Sequence, residues 1–232
     1  MKAEIFSETA GDAITMNRFS IFFLHCFFCT LMMCTGANAA PSSYFDMGET
    51  RSENITPFPK WTGTMERFDD EKKIPDSECG KVRFHPCSIA QWRSMLAGLE
   101  DKSFRERLDN INSWSNAHRY IEDQVNWGLQ DYWETPYEFM EINGDCEDYA
   151  ISKYYSLRAL GVSADRMRII ILQDLNLGGI IHAVLGVYDD NDRLYILDNQ
   201  SQQVLPALKI YHYRPIFGIN EDAWWAYYPR RG

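Results

Sequence analysis

The spacing of apolar residues changes period once along this chain, at Gly161, and that change limits the fold more than any other feature. Before it, apolar positions recur three and four apart. Ile89, Trp92, Met95, Leu96 and Leu99 follow Ser88, and Phe104, Leu108, Ile111 and Trp114 follow Ser103, each series marking one face of an amphipathic helix. The spacing also predicts a helix over residues 117–127. Thr135-Pro136-Tyr137-Glu138 reads as a capping box with proline at the first helical position, opening a short helix into Asn143. After Gly161, residues 167–172, 180–188 and 193–198 are rich in Ile, Val, Leu and Tyr and are separated by Asp, Asn and Gly, which predicts strands. Residues 204–228 suggest two more. Helices first and sequential strands afterwards imply an α+β fold, with N-terminal helices packed on a C-terminal antiparallel sheet.

The stretch Asn143-Gly144-Asp145-Cys146-Glu147-Asp148-Tyr149-Ala150 lies just before that change. Gly144 permits a turn and a close backbone approach, Asp145 is a good N-cap, and apolar residues at helical spacing run on through Tyr154 and Leu157 to Leu160. Gly161 then stops the helix. A thiol in the first helical turn has free N–H groups and the positive end of the helix dipole beside it, which suits a nucleophile. A small residue opening an ordinary capped helix would look the same.

Residues 19–33 form an apolar run preceded by Arg18 and followed by Ala37-Asn38-Ala39, the small-x-small pattern of a signal peptidase site. The acidic residues Glu4, Glu8 and Asp12 do not suit a signal n-region, so translation is expected to start at Met16. The expected organisation is a signal peptide over 1–39, an extended arm over 40–77 and one folded domain over 78–232. A retained anchor or a lipoprotein at Cys34 fits less well, since the run is short for a membrane span. Cleavage would remove Cys26, Cys29 and Cys34. Of the remainder, Cys79 and Cys87 are close enough to bridge, contributing about 2.5 kcal/mol on a chain-entropy model, and Cys146 is left as the free thiol. A metal site at Cys79, His85 and Cys87 lacks a fourth ligand at familiar spacing.

The second and third strands are joined by Asp189-Asp190-Asn191-Asp192, a hairpin turn; no glycine or bidentate glutamate follows to make it an EF-hand loop. If residues whose numbers sum to 380 pair across this hairpin, His182 lies opposite Asp198 at one end of an apolar face. A register one residue off would put them on opposite faces, so an odd-length loop is required. His85, His118 and His212 are the competing histidines. The formal net charge of -10, with no basic patch, argues against nucleic acid or an anionic membrane surface as partner.

A cysteine at a helix start followed by histidine and aspartate on adjacent strands is the order used by papain-like and transglutaminase-like folds. Gly144–Ala150, Leu157-Arg158-Ala159-Leu160-Gly161-Val162, Gln173-Asp174-Leu175-Asn176, His182-Ala183-Val184-Leu185, Leu197-Asp198-Asn199 and Trp224-Trp225 closely resemble the bacterial transglutaminase-like cysteine proteinases. The resemblance implies Cys146 as nucleophile, His182 as general base and Asp198 as the group orienting the imidazole. It also implies Ca²⁺ held by Asp145 and Glu147, a periplasmic location, and cleavage of a large surface adhesin near its N-terminus at a paired-alanine site. An inner-membrane receptor that senses cyclic di-GMP is the implied regulator. An acyl transferase or amidase would need the same three residues, and a non-catalytic binding module would need none of them.

Calcium has a second motivation in the residues. At about 7 Å and an effective dielectric near 20, each carboxylate among Asp145, Glu147 and Asp148 opposes a Cys146 thiolate by roughly 2.4 kcal/mol, and the helix dipole offsets at most about that much from one of them. Three hard oxygen donors within four residues suit Ca²⁺, although solvated first-turn acids, screened by water, would ease the conflict without it.

Overall fold

The computed structural model describes residues 44–230; the expected secretory segment lies outside the described residues. In chain order the elements are β1 (Gly48–Ser52), α1 (Pro59–Glu71), α2 (Ser88–Ala97), α3 (Phe104–Ser115), α4 (Asp123–Asn126), α5 (Pro136–Ile142) and α6 (Cys146–Ala159). Then follow β2 (Met167–Asp174), β3 (Ile180–Tyr188), β4 (Leu194–Asp198), β5 (Ser201–Pro206), β6 (Tyr213–Ile219) and β7 (Trp224–Tyr228). The strands form one sheet in the order β1-β7-β6-β2-β3-β4-β5, with every pairing antiparallel. Among the described residues no helix is long and apolar enough to cross a membrane.

Two apolar layers flank the sheet. On one face Ile169, Leu185, Val187, Leu197 and Ile219 pack against Ala150, Ile151, Tyr154 and Leu157 of α6 and the helices behind it. On the other, Ile170, Leu172, Val184, Ile196 and Tyr213 pack with Tyr44 and Tyr227. Both expected helix starts at Ser103 and Thr135 are capping boxes, and Gly161 follows α6 with a left-handed φ of 82°, a conformation glycine adopts without steric cost. Cys79 and Cys87 are disulfide-bonded, which removes them as metal ligands, and Cys146 is the free cysteine among the described residues.

The expected arm is not extended throughout. It contributes the edge strand β1 and the helix α1, whose Trp61 is fully buried, donates from Nε1 to the Asn220 carbonyl at 2.9 Å and stacks on Tyr155. Trp61, Thr64 and Phe68 are the buried face of α1, a helical spacing behind an N-terminal proline that the Pro- and Gly-rich composition of the segment masked. A buried cluster holds β1: Arg168 meets Glu49 at 2.6 and 3.2 Å while its guanidinium lies 3.7 Å from the Trp225 ring and 4.3 Å from that of Tyr44.

Three further expectations are corrected. Residues 117–127 form only the single turn α4, because Tyr120 bridges to Gly144 and the Ile121 amide donates to the Gly144 carbonyl at 2.9 Å, which requires extended backbone. Beyond β4 the tail makes β5, β6 and β7 rather than two strands. The β3–β4 register is shifted by two: Leu185 faces Leu197 and Gly186 faces Ile196. The Asp189 amide bonds the Arg193 carbonyl, and Asp189 Oδ1 accepts from the Asn191 and Arg193 amides, so the turn closes at Asp189/Arg193. A shift of two preserves facing, so His182 and Asp198 stay on one side as diagonal rather than direct neighbours.

α1 also carries a carboxyl that senses pH. Burial first, then the Glu138 charge from α5, pushes Glu71 up to about 8 from 4.5. The native state therefore holds a proton that the unfolded chain releases, and stability falls as pH rises from about 4.5 to about 8. Glu71→Gln should flatten that part of the melting-temperature profile, measured by circular dichroism between pH 5 and 8; an unchanged slope would remove Glu71 as its source.

Candidate active site

The turn that presents Cys146 is built by one side chain reaching backwards. Asp148, fully buried in the first turn of α6, accepts from the Asp145 amide at 2.9 Å with Oδ2 and from the Glu134 amide at 2.8 Å with Oδ1. A Cβ at position 144 would lie 2.3 Å from that Oδ2, so only glycine allows the carboxylate beneath the turn. Asn143, at a positive φ of 64°, is held by its Oδ1 on the Arg119 amide and its carbonyl on Asn126 Nδ2. Cys146 then opens the helix with its N–H free of the intrahelical ladder.

The sulfur sits in a cleft of about 440 Å³ whose walls include Tyr120, Trp133, Ile171, Ile181, His182 and Phe217. It accepts from the Ala183 amide, and the thiol donates to Glu147 Oε2 at 3.2 Å. Burial, and after it the Glu147 and Asp145 carboxylates, push the Cys146 thiol well up. In this charge distribution the thiol keeps its proton.

His182 and Asp198 come together as the shared strand face requires. His182 Nε2 lies 2.9 Å from Asp198 Oδ1, and both residues are buried. Asp198 Oδ1 also accepts from the Gln200 amide at 2.9 Å, and Oδ2 accepts from the Tyr213 hydroxyl. Burial works against the Asp198 charge, but the His182, Tyr213 and Gln200 hydrogen bonds outweigh it and hold the carboxyl below its usual range. Of the competing histidines, His85 is buried near the disulfide with neither ring nitrogen partnered among the described residues, and His118 Nδ1 donates to the Ser115 carbonyl at 3.2 Å. His212 lies 3.9 Å from Asp174. None of the three is among the cleft residues.

Asp145 and Glu147 belong to a larger carboxylate cluster. Asp123, Asp131 and Glu147 each offer an oxygen within 4.8 Å of the others, as do Asp123, Glu134 and Asp148. Asp145 Oδ2 accepts from the Asp123 amide at 3.4 Å. Burial, with Asp145 and Asp131 adding to it, pushes Asp123 up to about 6; burial, with Glu138 and Asp123, pushes Glu134 up to about 8. Asp123 Oδ1, Asp145 Oδ1 and Glu134 Oε2 are buried without a hydrogen-bond partner, and among the cluster's acids Asp131 has a lysine, Lys60, as ion-pair partner. Hard oxygen donors left unpaired in a buried, mutually repelling group fit a Ca²⁺ ion. Sequence reading missed Asp123, Asp131 and Tyr213. Asp123 lies in the segment read as helix and Asp131 just beyond it, where the acid spacing carries no signal, and Tyr213 reaches Asp198 only through sheet pairing.

Residues 78–227 match the family model of the bacterial transglutaminase-like cysteine proteinases. The calcium-bound structure of Legionella pneumophila LapG is similar at a TM-score of 0.57 and 30% identity, covering 68% of this chain and 87% of that one. A second structure of the same protein matches at 0.55 and 27%, covering 70% and 87%, and an EGTA-treated form matches at 0.55 and 27%, covering 70% and 84%. No curated protein sequence matches the chain. The fold is accordingly the α+β arrangement of transglutaminase-like enzymes, and the chain belongs to the bacterial transglutaminase-like cysteine proteinases.

Proposed function

We propose that this chain is a calcium-dependent cysteine endopeptidase of the periplasm, with Cys146, His182 and Asp198 as its catalytic residues. In this reading it cleaves a large surface adhesin near its N-terminus, at a paired-alanine site, and so controls adhesion and biofilm release. An inner-membrane receptor sensing cyclic di-GMP would hold it inactive. The observation that carries the chemistry is a free thiol at the start of α6 sharing one cleft with a buried His182–Asp198 pair.

With Nε2 on Asp198, His182 keeps Nδ1 for the Cys146 proton, and Asp198 stabilises the imidazolium that results. The thiolate attacks the peptide carbonyl, and the Cys146 amide donates to the oxyanion. As the C–N bond breaks, the imidazolium returns its proton to the leaving amine. Water, deprotonated by His182, then hydrolyses the thioester. Asp123, Asp131, Asp145 and Glu147 are the residues placed to hold Ca²⁺, which when bound supplies positive charge against the carboxylate field at the sulfur. LapG structures in calcium-bound and EGTA-treated forms support that assignment.

Cys146→Ala and His182→Ala should each lower kcat/KM for peptide cleavage by at least about 10³-fold with an unchanged circular dichroism spectrum, and Asp198→Asn should leave residual activity because Asp198 orients and does not react. Undiminished cleavage by Cys146→Ala would remove the nucleophile. An added amine that captures the acyl group in preference to water would instead favour an acyl transferase.

Chelation with EGTA should abolish cleavage, and Ca²⁺ should restore it where Mg²⁺ does not. Asp145→Ala, Glu147→Ala and Asp123→Ala should each weaken Ca²⁺ binding in calorimetry. Full-rate cleavage by metal-free protein would overturn the calcium assignment.

Mass spectrometry of the exported protein should find a chain beginning near Ala40. Recovery of residues 19–33 in a membrane-bound form would contradict export with cleavage.

A further inference from the structure

Strand β3 is longer than the partner on its outer side. Along its inner edge β2 pairs with it from Ile180 to Val187, whereas β4 pairs with it only from Leu185 to Tyr188. The odd-numbered residues of β3 turn their main-chain groups toward the outer edge, because a strand's N–H and C=O pairs alternate in direction. The Ala183 amide follows that alternation and ends on the Cys146 sulfur. Ile181 is the next residue of the same set, two positions nearer the strand start. Among the described residues no strand pairs with its main chain on that side, and the residue is 58% exposed at the cleft.

We propose that substrate docks as an added strand on this uncovered edge of β3, its backbone hydrogen-bonded to the Ile181 amide and carbonyl, in register with the thiol at Ala183. This rests on the endopeptidase reading and names the form in which its substrate is held. Two residues of extended chain span about 7 Å, so the substrate residue paired with Ile181 lies about two positions from the one at the sulfur. Main-chain pairing supplies affinity and alternate side chains supply selectivity, as in other strand-addition complexes. Here one set of alternate side chains meets the wall made by Ile171, Trp133 and Phe217. Glu122, Asp123, Asp131, Asp145 and Glu147 also line the cleft, so the ligand is an extended segment with small or apolar, non-acidic residues near the scissile bond.

The test uses the calcium-loaded mature chain. A positional-scanning peptide library identifies a cleaved sequence, and that peptide is then N-methylated singly at each residue within four of the scissile bond. Strand pairing predicts alternation: methylation at one position about two residues from the cleaved bond raises KM at least tenfold, and methylation at its immediate neighbours changes KM less than twofold. Ile181→Pro, which deletes an N–H that the β2 ladder does not use, should raise KM for the unmodified peptide, whereas Ile181→Ala, which keeps the N–H, should raise it less. If Ile181→Pro does not fold, the methylation scan decides alone. Sensitivity without alternation, or none, overturns the docked strand while leaving the protease reading intact. Failure to cleave any library peptide, with Cys146 still alkylated by iodoacetamide, overturns the protease reading and this inference with it.

Discussion

The Asp148 carboxylate is the contact on which the rest of the site depends. It lies fully buried under a glycine and takes the Asp145 amide on one oxygen and the Glu134 amide on the other. It thereby ties the turn before Cys146 to the segment that enters α5. Charge-assisted hydrogen bonds of this kind contribute about 1.5–3 kcal/mol each when the acceptor is ionised. That condition is demanding here: burial, and then Glu134, Glu147 and Asp145, push the Asp148 carboxyl well up. The side chain that shapes the turn before Cys146 is thus held in its strongest form only if the surrounding negative charge is compensated.

Compensation must come from outside the local chain. The α6 N-terminus offers about half a positive charge, while Asp123, Asp131, Asp145, Glu147, Asp148 and Glu134 crowd the same few ångströms, with Lys60 as the ion-pair partner of Asp131. A cation at the cluster would ionise the carboxylates, strengthen the Asp148 bonds and ease thiolate formation together, since each is opposed by the same field. Structural order of the turn and ionisation of the sulfur are then one electrostatic problem, and a cation beside so acidic a turn would ease both.

Much of the architecture was legible locally. Ser103 and Thr135 carried their own caps, the change of period at Gly161 marked the move from helices to sheet, and the condition that the hairpin loop be odd is met at Asp189/Arg193, which keeps His182 and Asp198 on one face although the pairing slipped by two. What escaped depends on partners far away in sequence. β1 exists because Glu49 finds Arg168. Residues 120–121 are extended because Gly144 pairs with them, and Asp123 joins the acids because that pairing carries it beside Asp145. α1 is the exception, since Trp61, Thr64 and Phe68 behind Pro59 carried a helix signal that composition obscured.

The position of the histidine explains why the sheet must open where it does. His182 shares its face of β3 with Val184 and pairs with Leu172, so its ring projects toward the layer that holds Tyr213. Cys146 belongs to α6, which packs on the opposite face. A thiol and an imidazole on opposite faces of a continuous sheet would be separated by the sheet itself. Both nonetheless line one cleft, beside the stretch of β3 ahead of Leu185 that β4 does not pair. Asp198 is the last residue of β4, one diagonal step from the histidine that its carboxylate bonds. The short β4 strand therefore ends on the carboxylate that meets His182 and leaves unpaired β3 backbone beside the cleft.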